Sequence, residues 1–164
     1  MKIWSKSILS LLIITATIGA YAQGNDCSIT PVQPTCEYLT NPSGLDVEQP
    51  RFSWKLQATN EAAHGQRQTA YQILVASSRQ QLDSHCGDMW DSGWVPSDDM
   101  QLIQYNGKPL QSDRRYFWKV SVKDERENES GFGEVAEWST GLFSQNEWTA
   151  KWIGTGEAYD PAEG

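Results

Sequence analysis

Two stretches of this 164-residue sequence bring carboxylates close enough together to suggest acid–base work: Asp98-Asp99, and the group Asp124, Glu125, Glu127 and Glu129. Such a pair divides the labour of hydrolysis only when one carboxyl sits in an apolar setting that keeps it protonated while the other stays ionised. Neither stretch has apolar neighbours of that kind, so both are expected to be solvated turns. The second group also lacks the ligand spacing of a calcium loop. His64 and His85 lie in loop-like stretches without a Ser-His-Asp arrangement, and His85-Cys86 has no further His or Cys at finger-like spacing. Gly154-Thr155-Gly156 lacks the preceding context of a phosphate loop. The residues assign no catalytic group, no metal and no cofactor.

The eight tryptophans offer a different chemistry, because an aromatic face stacks on a pyranose ring. Trp54, Trp118 and Trp138 fall on the apolar faces of alternating segments and are expected in the core. Trp90 and Trp94 flank Asp91-Ser92-Gly93 and are the candidate carbohydrate contacts. Trp148 and Trp152 are expected on the hydrophobic surface of a following domain. Three cysteines, Cys27, Cys36 and Cys86, cannot all pair within one chain. An oxidising compartment permits one disulfide, with Cys36–Cys86 a candidate, and spacing does not choose the pair.

The N-terminus reads as an export signal spanning residues 1–22. Lys2 and Lys6 precede an apolar run at residues 8–18, and Ala20-Tyr21-Ala22 offers a small-x-small cleavage site, making Gln23 the mature N-terminus. The run falls short of the roughly 20 residues that span a bilayer, and Gly24-Asn25-Asp26 is too polar for lipid attachment at Cys27. The expected location is secreted, periplasmic or cell-surface, with no membrane insertion after cleavage. Losing two lysines and no acid makes the mature chain more negative than the −8 of the whole sequence. Phosphate backbones and anionic lipid repel such a chain, which argues against nucleic-acid or membrane-surface binding. Asn128-Glu129-Ser130 is an acceptor sequon, but the bacterial character of the signal argues against its use.

The elements that would position these residues are strands. Residues 35–39 form a short first strand stopped by Asn41-Pro42-Ser43-Gly44. Residues 51–56 alternate strictly, with Phe52, Trp54 and Leu56 on one face. Residues 69–77 are apolar on both faces and read as a central strand, followed by a helical turn at 78–84 anchored by Leu82. Residues 89–95 and 101–105 are short strands, and Asn106-Gly107 is a turn dipeptide. Residues 115–123 carry Tyr116, Trp118, Val120 and Val122 on one face; 124–133 is a charged loop; 135–143 closes the set with Trp138 and Leu142. About seven short strands separated by turns predict an all-β, antiparallel sandwich of the immunoglobulin or fibronectin type III kind. Leu110, six residues before Tyr116, fits the tyrosine corner of such domains, in which the phenol meets an upstream backbone group.

Several motifs carry a resemblance in order: Cys36-Glu37-Tyr38-Leu39-Thr40-Asn41-Pro42-Ser43-Gly44-Leu45-Asp46, Gln49-Pro50-Arg51-Phe52-Ser53-Trp54, Tyr71-Gln72-Ile73-Leu74-Val75-Ala76, Trp90-Asp91-Ser92-Gly93, Tyr116-Phe117-Trp118-Lys119-Val120 and Trp138-Ser139-Thr140-Gly141-Leu142. The series resembles the N-terminal region of bacterial α-L-rhamnosidases, and Trp148-Thr149-Ala150-Lys151-Trp152-Ile153-Gly154 looks like the strand opening that family's next domain.

With the signal read at 1–22 and a linker at 23–29, the chain divides into a sandwich at 30–145 and, as the resemblance implies, the start of a second β-domain at 146–164, cut short before the catalytic domain. It implies an inverting enzyme releasing terminal L-rhamnose, whose paired carboxylates lie in a helical domain beyond this length. The implied role is a non-catalytic accessory module, with the parent's other domains as partners and rhamnose-containing glycans as possible contacts. The alternatives are a free-standing carbohydrate-binding module or an adhesin-like module. With no carboxylate pair to carry over, the purified chain is expected to leave an aryl α-L-rhamnoside intact. Turnover above a buffer blank, copurifying enzyme excluded, contradicts this.

Overall fold

Side-chain alternation builds two antiparallel sheets that face each other across one core. The computed structural model describes residues 27–60 and 64–150; residues 1–22, read above as an export signal, most of 23–29 and everything after residue 150 lie outside the described residues. Among the described residues the strands run β1 (Ile29–Cys36), β2 (Arg51–Ala58), β3 (Ala70–Ala76), β4 (Trp90–Asp91), β5 (Val95–Pro96), β6 (Ile103–Gln104), β7 (Arg115–Lys123), β8 (Glu129–Phe132) and β9 (Ala136–Ser139).

One sheet has the order β1-β2-β6 and the other is built on the β3–β7 pair. Both β4 and β5 pair with β3, through Val75↔Trp90 and Tyr71↔Val95, so they form one interrupted ribbon. On the far side, β8 and β9 both pair with β7, through Ser121↔Phe132 and Trp118↔Ala136. The nine segments therefore fill seven positions, the number of an immunoglobulin-type sandwich. The interruption between β8 and β9 falls at Gly133, where a Cβ would stand 2.7 Å from the Pro31 carbonyl oxygen. Glycine there lets the second sheet close onto β1.

Several local expectations change. The first strand begins at Ile29, well before residue 35, and ends at Cys36. Pro31 and Pro34 disguise it, and they are tolerated because β1 is an edge strand whose outer N–H groups have no ladder to serve. Residues 41–45 do more than stop that strand; they run along the free edge of β9. The Ser139 N–H donates to the Pro42 carbonyl at 3.0 Å, and the Leu45 N–H to the Ser139 carbonyl at 2.9 Å.

The charged loop expected at 124–133 contains β8, a strand made of Glu129, Ser130, Gly131 and Phe132 that no apolar pattern announces. Asn106-Gly107 closes no hairpin; the chain bends at Gly107-Lys108. Gly107 is required by close packing, since a Cβ would stand 2.5 Å from the Met89 carbonyl oxygen. The last strand ends at Ser139, leaving Leu142 exposed, and Gln145–Glu147 forms a 3-10 turn just before the strand expected from Trp148, most of which lies outside the described residues.

The main core is aromatic. Phe52 of β2, fully buried, lies 4.4 Å from the Trp118 ring and 5.3 Å from the Trp138 ring, centre to centre. Trp54 shares this core and packs edge-on to Tyr71 at 5.4 Å. Tyr116 stacks near Trp138, and its hydroxyl accepts the Gln111 N–H at 2.9 Å, one residue beyond Leu110.

A second, smaller cluster lies on the outer face of β3 and β7. There Leu82 of α1 (Arg79–Asp83) covers Leu74 and Ala76, with Phe117, Phe132 and Val135 alongside. Lys119 is buried in this layer, donating to the Leu82 carbonyl and sitting 4.7 Å over the Phe132 ring. Burial lowers its pKa.

The three cysteines are free thiols. Cys36 and Cys27 are buried and Cys86 is exposed, so the Cys36–Cys86 disulfide is not formed. Burial, with the Glu37 charge beside it, pushes the Cys36 thiol up to about 12, which leaves it unreactive at neutral pH.

Trp118→Ala empties the centre of this core. It is expected to destabilise the domain by about 3–5 kcal/mol, as large aromatic truncations do, read as a lower denaturation midpoint in urea. An unchanged midpoint contradicts the facing given to β7.

Candidate functional surfaces

The acidic group at the β7–β8 turn holds one buried carboxylate. Asp124 is fully buried, which corrects the expectation of a solvated cluster. Its Oδ1 accepts the N–H groups of Arg126 at 2.8 Å and Asn128 at 3.0 Å, while Oδ2 accepts the Ser28 N–H at 2.9 Å. Burial alone would raise its pKa, but these three bonds outweigh burial and hold the carboxyl below the ordinary range. With both oxygens occupied, Asp124 pins the start of β1 to this turn and is no proton donor for a substrate. Asp98 and Asp99 are exposed in a turn where Ser97 Oγ donates to Asp99 at 3.0 Å.

The structure separates the two tryptophans singled out for sugar contact. Trp90 is half-buried and packs inward, 6.4 Å from Phe52 and 5.5 Å from Tyr105. Trp94 lies on the outer face, with the Lys123 ammonium 4.7 Å over its ring. They cannot form a single platform. Trp54 is also committed: its indole N–H donates to Gln68 Oε1 at 3.0 Å. Gln68 is buried and passes the connection on to the Ser97 and Asp99 carbonyls at 3.1 and 2.8 Å.

Two other surfaces stand out. The first is a groove of about 500 Å3 between the β1 edge and residues 134–136, lined by Gln33, Tyr38, Lys55, Gln101 and Glu134 over the edge of Trp54. Left-handed backbone gathers around it, at Gln33 (φ 51°), Glu37 (48°), Tyr38 (66°) and Asn41 (48°). Non-glycine residues adopt this region only when their surroundings force it. At Glu37 and Tyr38 the cause is a two-residue hairpin turn, closed by the Cys36 N–H on the Leu39 carbonyl and the Leu39 N–H on the Cys36 carbonyl, both at 2.9 Å. Arg51 adds to it, its Nη2 meeting Glu37 Oε2 at 2.6 Å while Nε reaches both carboxylate oxygens at 3.1 and 3.2 Å. Those hydrogen bonds hold the Glu37 carboxyl below its usual range. The Arg51 guanidinium also stands 5.8 Å from the Tyr38 ring centre. Sequence reasoning placed Tyr38 inside a strand and missed the groove; the prolines at 31, 34 and 42 were the available signal.

The second surface lies where the chain leaves the sandwich. Leu142, Phe143 and Trp148 frame a hollow of about 500 Å3, and Trp148 is 67% exposed. Phe143 also borders an adjoining hollow with Tyr105, Pro109 and Leu110. The Phe143 N–H donates to Ser112 Oγ at 3.0 Å, which ties this end of the patch to the domain. Trp152, assigned to the same region from sequence, lies outside the described residues.

Comparison with known proteins places the chain in a family. Residues 31–144 match the family model described as the Rha78A-like, N-terminal immunoglobulin domain. Over 120 residues the chain is 48% identical to an α-L-rhamnosidase of Streptomyces avermitilis, covering 73% of this chain and 11% of that protein. The solved α-L-rhamnosidase of Dictyoglumus thermophilum superposes with a TM-score of 0.71 at 42% identity, over 77% of this chain and 14% of the other. The Streptomyces avermitilis α-L-rhamnosidase solved with L-rhamnose gives 0.70 at 45% identity, over 77% and 12%. The chain spans between 11% and 16% of the length of curated relatives it matches.

Asp124 yields a pH dependence. Its folded pKa is depressed, so its contribution is complete above the ordinary aspartate pKa of about 3.9 and is lost as pH falls through the lower folded value. Asp124→Ala orphans the N–H groups it serves and is expected to cost about 2–4 kcal/mol at neutral pH. The gap between variant and parent should narrow in acid. A gap that stays constant from neutral pH down to acid unfolding contradicts the assigned role.

Proposed function

The chain belongs to the Rha78A-like N-terminal immunoglobulin-domain family, and on that premise we propose that it serves as the non-catalytic N-terminal accessory module of an exported α-L-rhamnosidase. The observation that carries the proposal is the placement of the apolar patch. The family match ends at residue 144, and Leu142 and Trp148 stand exposed at that point beside the half-buried Phe143. A polypeptide continuing from there reaches the patch at high effective concentration, because it is tethered beside it. A following β-domain with an apolar face is the occupant this chemistry fits, and its docking would fix the sandwich against the rest of the enzyme. Hydrolysis of terminal α-L-rhamnose would then occur elsewhere in that protein, on carboxylates this chain does not supply. The export signal read at residues 1–22 supports a periplasmic or cell-surface location, where an acidic surface also favours solubility.

A free-standing carbohydrate-binding module built on Trp90 and Trp94 is disfavoured, since one ring packs into the core and the other lies beneath a lysine. The test uses the longer protein that continues from this chain. It is expected to cleave an aryl α-L-rhamnoside. Combined Leu142→Ser and Trp148→Ser should destabilise that protein by about 1–3 kcal/mol through lost apolar burial, while leaving the melting temperature of the chain alone nearly unchanged. Equal effects on both, or none on the longer protein, contradict a docking role for the patch.

A further inference from the structure

The groove beside β1 holds an exposed aromatic ring and several polar side chains that belong to neither the core nor the exit patch. Tyr38 is 68% exposed, yet its position is tightly determined. The Arg51–Glu37 ion pair holds the preceding residue, Arg51 stands beside the ring, and both Glu37 and Tyr38 are left-handed. The hairpin turn closed by Cys36 and Leu39 accounts for that backbone, and it leaves the Tyr38 ring standing at the groove.

Around it, Gln33, Lys55, Gln101 and Glu134 line the groove and make no side-chain hydrogen bond or ion pair among the described residues. Two amides, one ammonium, one carboxylate and a phenol offer both donors and acceptors with no net charge. That set does not select a polyanion.

A peptide strand is disfavoured too. The edge it would have to extend carries Pro31 and Pro34, which lack N–H groups, and its register shifts between Val32 and Thr35. What remains is recognition by side chains: an aromatic ring for an apolar face, and amides for a ring of hydroxyls. The volume, about 500 Å3, lies in the range of small-ligand sites.

The geometry points to a glycan-binding subsite in this groove, taking a pyranoside with its C–H face on Tyr38 and its hydroxyls on Gln33 and Gln101. The assignment rests on the module reading above, since a glycan-cleaving parent is what brings such a ligand to this surface.

The experiment titrates the 15N-labelled chain with methyl α-L-rhamnoside and with an oligosaccharide ending in that sugar, using methyl α-D-glucoside as comparison. Amide shifts are expected at residues 33–41, 53–55, 101 and 134–136, saturating with a Kd no weaker than about 10 mM. Tyr38→Ala should weaken binding by about tenfold or more at an unchanged melting temperature, and Gln101→Ala should weaken it to a lesser degree. No shift with any sugar, shifts confined to residues 142–148, or undiminished binding by Tyr38→Ala overturns the site. Groove amides that already change in the longer protein without sugar identify a domain contact, and overturn it as well. If the longer protein fails to cleave an aryl α-L-rhamnoside while the groove still binds, the parent activity is wrong and the subsite stands.

Discussion

The contact of Phe52 with Trp118 and Trp138 joins the two sheets, and the rest of the structure is arranged around it. Phe52 comes from β2 in one sheet; Trp118 and Trp138 come from β7 and β9 in the other. A slip of one residue in any of these strands would turn its large ring to the opposite face, so the contact fixes three registers at once. Trp90 and Tyr105 pack around the same ring, which brings the β4 and β6 segments to their sheets. The indole N–H groups of Trp118 and Trp138 are buried with no hydrogen-bond partner among the described residues. Each such group costs about 1–3 kcal/mol, and the packing of the aromatic rings must outweigh that cost.

Most of this was legible wherever burial is one-sided. β2 and the inward face of β7 follow from strict alternation, and β3 from being apolar on both faces. Legibility failed where polar side chains do structural work. β8 contains a single apolar residue, Phe132, and is held by backbone pairing and by Ser130 Oγ accepting the Val122 N–H at 3.1 Å. Asp124 looked like one member of a surface acidic run, because its burial depends on Ser28, 96 residues away in sequence. Lys119 and Gln68 were hidden for the same reason: their partners are backbone carbonyls brought near only by the fold.

The same physics explains why the candidate sugar contacts moved. A tryptophan next to a turn can point to either side of a sheet, and Trp90 and Trp94 point to opposite sides. Tyr38 escaped notice because the left-handed backbone that exposes it belongs to non-glycine residues, for which sequence carries little signal. The exit surface is partly visible in sequence, which gives Trp148 to the hydrophobic surface of a following domain; in the structure it stands beside Leu142 and Phe143. Phe143 and Pro109 are not visible in sequence, because the patch assembles from two separate loops.

A self-sufficient aromatic core with an apolar patch at its exit end makes a definite claim: the sandwich folds alone and, as the proposed module of a larger protein, meets the other domains through that end. Amide hydrogen exchange, compared between this chain and the longer protein that contains it, tests that claim most directly. The account predicts equal protection in β2, β3 and β7 in both proteins, with added protection in the longer one confined to residues 105–111 and 142–148. Core strands that gain protection only in the longer protein, or an exit end that gains none, would contradict it.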